Sequence, residues 1–175
     1  LLQQELNKIN SSQWKAGPII AGKLYSDSEH QVKSPQDTQL TVGFVRHATL
    51  EEVEKALTES EDAFNEWRLT PVELRAAAVN RFSDLLEAHS VELMAIACLE
   101  AGKTWNDALG ELREAADFCR YYASMAQELM AHPKRLQGYT GELNELSLHP
   151  RGTVLCISPW NFPLAIFTGQ VIAAL

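Results

Sequence analysis

The residue types best suited to chemistry stand near the carboxyl end, in Ile157-Ser158-Pro159-Trp160-Asn161-Phe162-Pro163. They follow Val154-Leu155-Cys156-Ile157, a continuous apolar run of the kind expected for a strand buried on both faces. After them, Leu164 to Leu175 returns to helical periodicity, so the order strand, loop, helix reads as the opening half of a βαβ unit. Ligands of open α/β sheets bind beyond the carboxyl ends of strands. An amide held there between Trp160, Phe162 and two prolines would be a stiff hydrogen-bond donor for a developing oxyanion. The same Asn161 could instead cap the helix that follows it.

The other candidate groups are weaker. Cys98 and Cys119 fall on apolar helix stripes and Cys156 falls inside the expected strand, so all three read as buried, inert thiols. An odd number of cysteines without CxxC spacing favours a reducing compartment over a disulfide framework. His30, His47, His89, His132 and His149 lack metal-ligand spacing, and neither a GxGxxG run nor a P-loop is present.

The elements that must position the loop are legible upstream. Residues 1–12 carry Leu2, Leu6 and Ile9 in a short amphipathic pattern, without the basic start of a secretory signal. In residues 13–47, Gly17-Pro18, Gly22, Asp27 and Ser34-Pro35 punctuate apolar runs at Ile19-Ile20, Gln31-Val32 and Leu40 to Val45. This is the grammar of a small antiparallel β unit. Thr49 followed by Glu52 is a capping box, and Val53, Ala56, Leu57, Ala63, Phe64 and Trp67 continue a helical stripe. Thr70-Pro71-Val72-Glu73 starts a second helix with Pro71 at its first position and a stripe of Ala78, Val79, Phe82, Leu85 and Leu86. Ser90 is expected to cap a third helix, which Gly102 ends through its tolerance of positive φ. From Thr104 a long helix aligns Trp105, Ala108, Leu109, Leu112, Ala116, Cys119, Ala123 and Ala126, and stops before His132-Pro133. Leu143, Leu146 and Leu148 beside polar neighbours then suggest a two-faced or edge strand.

The 175 residues carry 15 Lys and Arg against 23 Asp and Glu, a net charge of −8, with 46% hydrophobic residues. Residues 49–130 hold 17 acidic and 7 basic side chains, so the acidity belongs to solvated helix faces. That balance argues against nucleic-acid binding, which leaves a basic footprint. The longest apolar-rich tract, Leu164 to Leu175, is too short and mixed to span a bilayer. Val171 to Leu175 is apolar with no cap, and a single parallel strand cannot satisfy its own backbone. The expectation is therefore a fragment of a larger α/β protein.

The run Pro150 to Leu175, "PRGTVLCISPWNFPLAIFTGQVIAAL", resembles the aldehyde dehydrogenase superfamily around its Pro-Trp-Asn-Phe-Pro loop. Glu100-Ala101-Gly102-Lys103-Thr104, Glu114-Ala115-Ala116-Asp117-Phe118 and Tyr121-Tyr122-Ala123 are similar to the same family's Glu-x-Gly-Lys and Tyr-Tyr-Ala helix. With "PIIAG" and "SPQDTQLTVGFVRHATLEEVEKA", the resemblance covers residues 15–175 in order. "EAADFCRYYA" and "GELNELSLHPRGTVLCISPWNFPLAIFTGQ" are most similar to Δ1-pyrroline-5-carboxylate (glutamate semialdehyde) dehydrogenases. Among these they resemble the dehydrogenase half of bacterial bifunctional proline utilisation A proteins.

The resemblance implies the N-terminal part of the aldehyde dehydrogenase fold: a β hairpin or flap, a helical block, and the first strand-loop-helix of a Rossmann-like NAD-binding domain. Its divisions would be a linker from an upstream module at 1–12, a β-rich segment at 13–48, a helical block at 49–132, and at 133–175 a flap strand with a truncated β-α unit. Asn161 would donate to the oxyanion formed on a catalytic cysteine. Ile157, Ser158, Pro159 and Trp160 would line the adenosine-ribose side of NAD, while Phe162 and Ile166 would wall the aldehyde channel. Glu114 would lie near the substrate, or be another solvated helix carboxylate. The implied reaction is NAD-dependent oxidation of L-glutamate 5-semialdehyde to glutamate in proline catabolism, with FAD confined to the proline dehydrogenase module of a bifunctional parent. The nucleophilic Cys, the general-base Glu and the ribose-holding Lys of the family would all lie beyond residue 175, leaving this segment inactive alone. The resemblance also implies a homo-oligomer through a strand flap (residues 13–47 and 142–149 are candidates). It implies a cytoplasmic enzyme, peripheral to the inner membrane in a bifunctional parent. The competing readings are another aldehyde specificity, or a non-catalytic acidic helical interaction module.

Overall fold

Helix starts and stops follow local chemistry closely. The computed structural model describes Gln4, residues 14–27 and residues 30–175; apart from Gln4, the amphipathic pattern expected at 1–12 lies outside the described residues. α1 (Leu50–Trp67) opens on a complete capping box. The Thr49 hydroxyl accepts the Glu52 N–H at 3.2 Å, and the Glu52 carboxylate accepts the Thr49 N–H at 2.9 Å. Arg46 Nη2 also donates to Glu52 Oε1 at 2.9 Å. That bond first, and the Thr49 N–H second, hold the Glu52 carboxyl below its ordinary range. A carboxylate lowered in this way favours the folded chain at neutral pH, and the contribution disappears as pH falls through the lowered value.

α2 (Val72–Ala88) begins one residue later than expected, with Pro71 as the residue before the helix. α3 (Ser90–Ala101) differs more. Ser90 is the first helical residue and caps nothing, because His89 closes α2 and opens α3 with φ −98° and ψ 17°. One shared residue leaves no extended position in which a serine could cap. Gly102 ends α3 at φ 68° and ψ 25°, as its tolerance of the left-handed region predicts. α4 (Trp105–Met130) starts on Thr104, whose side chain accepts the Asp107 N–H.

α2, α3, α4 and α5 (Ala165–Ala174) share one core, in which Val79, Leu86, Met94, Cys98, Leu112, Cys119 and Ile172 are buried. The buried side of α2 is Val72, Ala76, Val79, Ser83 and Leu86, so Phe82 and Leu85 of the expected stripe face outward. Ser83 is accommodated because its hydroxyl donates to the Ala116 carbonyl of α4 at 3.2 Å. α1 buries no residue completely and packs against the short strand Ile19–Ile20.

The strands among the described residues form three small units. In the first, β5 (Thr41–Val45) pairs antiparallel with β4 (His30–Lys33) and parallel with β1 (Trp14–Ala16). The expected unit was wholly antiparallel; β1 falls outside the apolar runs that define the other strands, and it makes the sheet mixed. β2 (Ile19–Ile20) and β3 (Lys23–Leu24) form a minimal hairpin. β6 (Lys134–Leu136) and β7 (Asn144–Leu146) make an antiparallel ribbon.

Val154–Ile157 is not a strand in this chain, and Leu155 and Ile157 are 82% and 75% exposed. A strand exists only within a ladder, and no described strand lies beside this run to accept its backbone groups. The resulting chain is mixed α/β, with four packed helices carrying the loop at their edge.

The tightest point in that packing is Gly169 of α5. A Cβ there would stand 2.8 Å from Cδ2 and 3.2 Å from Cγ of Phe118 on α4. Gly110 of α4, by contrast, has open space where its Cβ would go. Gly169→Val should therefore destabilise the protein by about 1–3 kcal/mol through overpacking. Gly110→Ala should stabilise it by about 0.5–1 kcal/mol through helix propensity. Urea denaturation of the two variants checks both signs.

Candidate active-site loop

The loop from Ile157 to Pro163 has no regular structure, so its shape depends on what grips it. α5 provides one grip. Gln170 Nε2 donates to the Ile157 carbonyl at 3.2 Å, and the Ser158 hydroxyl donates to Gln170 Oε1 at 2.9 Å. One amide thus spends its donor and its acceptor on consecutive loop residues. Beyond this clamp Ile157 and Trp160 present apolar surface to solvent, with Trp160 84% exposed.

α4 provides the other grip through Glu111, a carboxylate only 2% exposed. Its Oε2 accepts the N–H of Leu164 at 3.0 Å and of Ala165 at 3.2 Å. Lys103 Nζ lies 2.8 Å from Oε1. The same ammonium stands 4.2 Å from the centre of the Phe162 ring, a cation–π distance. A carboxylate this buried would be very costly alone, but here it meets one full positive charge and two backbone donors.

Asn161 does not cap the helix. The residue before α5 is Leu164, no side chain from that position bonds to the helix, and the capping is done by Glu111. The Asn161 side chain is exposed and has no hydrogen-bond partner among the described residues. Phe162 and Glu114 meet at a hollow of about 280 Å³, which Lys103, Asn106 and Glu111 also line. Glu114 is exposed and borders a second, shallower groove of about 620 Å³ with Arg113, Phe118 and Tyr121. Ile166 is half-buried on the first turn of α5 and lines neither space. α5 therefore holds Ile157 and Ser158, Phe162 faces the α4 hollow that Glu114 also lines, and Trp160 between them stands out into solvent.

Glu111, Lys103 and Gln170 were not singled out by residue type. Glu111 did leave a signal: it stands at helical spacing from Ala108 and Ala115, on the side of α4 that is otherwise apolar. A carboxylate on a buried stripe demands a cation or donors. Cys98 and Cys119 behave as expected. Burial first, with the Asp107 charge second, pushes the Cys98 thiol above its ordinary pKa, and burial pushes Cys119 up as well. Among the described residues no cluster of three or more His, Cys, Asp or Glu could hold a metal, and no helix is long and apolar enough to cross a membrane.

Residues 24–175 match the model of the aldehyde dehydrogenase family. The chain is 38% identical over its full length to the bifunctional protein PutA of Klebsiella aerogenes, of which it spans 12%. It is 33% identical over 89% of its length to 1-pyrroline-5-carboxylate dehydrogenase of Staphylococcus aureus, spanning 30% of that protein. Proline utilisation A from Bdellovibrio bacteriovorus superposes with a TM-score of 0.90 at 35% identity, over 98% of this chain and 18% of that one. A 1-pyrroline-5-carboxylate dehydrogenase variant from Thermus thermophilus gives 0.88 at 32% identity, over 98% of this chain and 34% of that one.

Buried thiols of raised pKa carry little thiolate at neutral pH. Cys98 and Cys119 should resist alkylation by iodoacetamide in the folded protein and react once it is unfolded in urea. Peptide mass spectrometry reads the labelling site by site, and rapid native labelling of either would contradict this account of the core.

Proposed function

Because the chain belongs to the aldehyde dehydrogenase family, we propose that it forms the N-terminal part of an NAD-dependent enzyme oxidising L-glutamate 5-semialdehyde, derived from Δ1-pyrroline-5-carboxylate, to glutamate. The substrate assignment rests on the relatives: curated PutA and 1-pyrroline-5-carboxylate dehydrogenases at 33–38% identity. The observation that carries the site is the state of Asn161. Its amide is exposed and uncommitted at the turn before α5, while another residue does the capping it could have done.

In this reading a cysteine beyond residue 175 attacks the aldehyde carbon, and negative charge gathers on the aldehyde oxygen. The Asn161 amide donates to that oxygen and lowers the barrier by electrostatic stabilisation rather than by proton transfer. NAD, when bound, supplies the hydride acceptor. The chain offers it a fitting surface. Ile157 is an exposed apolar residue held by the Gln170 clamp, and Trp160 is exposed between Pro159 and Pro163, whose φ is fixed, so a flat adenosine group can be covered with little further ordering of the loop. Ser158 and Pro159 complete that wall. Phe162 borders the aldehyde path and Glu114 bears on the substrate end of the smaller hollow, whereas Ile166, which lines neither space, is left out of this reading.

The exposed leucines of the β6–β7 region, Leu136, Leu143, Leu146 and Leu148, are consistent with a flap that joins copies of the enzyme. A cytoplasmic enzyme fits the same reading. A bifunctional parent would carry FAD in its proline dehydrogenase module and meet the inner membrane peripherally.

Asn161→Ala in the full-length enzyme should lower kcat by about 10²-fold or more, the scale of losing one oxyanion donor. NADH formation at 340 nm with glutamate semialdehyde as substrate measures it. Turnover equal to the parent's would overturn the role of Asn161.

A further inference from the structure

The N–H groups that open a helix ordinarily bond to a Ser, Thr, Asp or Asn side chain at the cap. In α5 the cap position is Leu164, which has nothing to offer, and Asn161 stands three residues upstream with a suitable side chain. Left alone, that sequence would invite the Asn161 amide oxygen to turn toward the helix. The invitation is removed because Glu111 Oε2 already holds the Leu164 and Ala165 N–H groups, at 3.0 and 3.2 Å. Glu111 is well placed for this: it is 2% exposed, faces the positive end of the helix dipole, and has the Lys103 ammonium 2.8 Å from its other oxygen. Lys103 reaches the loop in turn, across the face of Phe162 at 4.2 Å.

We propose that Glu111, charge-balanced by Lys103, is a positioning residue for the aldehyde oxidation: it caps α5 from a neighbouring helix so that the Asn161 amide stays free for the substrate oxygen. The inference rests on the reading of Asn161 as the oxyanion donor. Glu111 touches neither substrate nor cofactor. It acts by occupying the two N–H groups that would otherwise compete for Asn161, and by fixing the residues on both sides of it, Phe162 through Lys103 and Leu164 directly. Glu111→Gln keeps the shape and one acceptor oxygen but loses the charge that holds Lys103. Glu111→Asp keeps the charge but is one methylene short of both N–H groups.

The test is a double-mutant cycle on kcat in the full-length enzyme, using Glu111→Gln and Asn161→Ala singly and together, with NADH formation as the readout and thermal unfolding measured in parallel. Glu111→Gln should lower kcat about tenfold or more while leaving the KM for NAD within about twofold, as expected for a misplaced catalytic group. In the Asn161→Ala background the same substitution should cost less than about twofold, because the group it positions is gone. Equal fold losses in both backgrounds would overturn the inference and leave Glu111 a purely structural residue. An undiminished kcat in Glu111→Gln would overturn it as well. Undiminished turnover in Asn161→Ala alone would overturn the underlying reading instead. Glu111→Asp carries the same expectations and serves as the second arm should Glu111→Gln not fold.

Discussion

A buried carboxylate with three obligations organises this part of the molecule. Glu111 satisfies two backbone donors at the start of α5 and one ammonium from the segment after α3. Removing any one of those partners leaves charge or polarity stranded in the core, which costs several kcal/mol in comparable buried sites. The three partners belong to separate stretches of chain, so a single side chain fixes the Lys103 turn, the α4 face and the α5 start relative to one another. The packing around it is equally constrained. Gly169 leaves room for the Phe118 ring of α4 where a Cβ would crowd it, on the same helix whose first N–H groups Glu111 holds. Packing and electrostatics thus act on the same helix: a side chain at 169 would crowd Phe118, and without the carboxylate the helix start has no cap.

The loop inherits its order from those two helices. Between the Gln170 clamp on Ile157 and Ser158 and the Glu111 capture of Leu164 and Ala165, only Pro159 to Pro163 spans freely, and two of those five residues are prolines of fixed φ. Such a segment loses little further conformational freedom when a ligand arrives, which is what a preorganised donor needs. Trp160 and Asn161 both stand exposed on this short span.

Local rules in the sequence were strong where the chemistry is local. The Thr49–Glu52 box, the Thr104 cap and the left-handed Gly102 each involve atoms within a few residues, and each appears as its residue types require. The loop's residue types, and the resemblance they carry, were legible for the same reason. What escaped is what distant parts of the chain decide. Val154–Ile157 has the composition of a buried strand, yet strands need neighbours and no short-range pattern supplies them. The parallel pairing of β1 with β5 joins residues about thirty apart and leaves no periodic trace. Glu111 looked like one more of the acidic residues on a helix block rich in them; only its place among Ala108, Leu112 and Ala115 distinguishes it, and its partners lie 8 and more than 50 residues away.

If Glu111 leaves Asn161 free, the Asn161 amide meets the aldehyde oxygen in the reacting enzyme. The most direct measurement is a crystal structure of the full-length enzyme trapped with a substrate-like aldehyde as the thiohemiacetal on its cysteine. Asn161 Nδ2 should lie about 2.7–3.1 Å from the former aldehyde oxygen, the range for an oxyanion donor, with Glu111 still bonded to the Leu164 and Ala165 N–H groups. An Asn161 side chain turned back to cap α5, with the oxygen held by other groups, would contradict it.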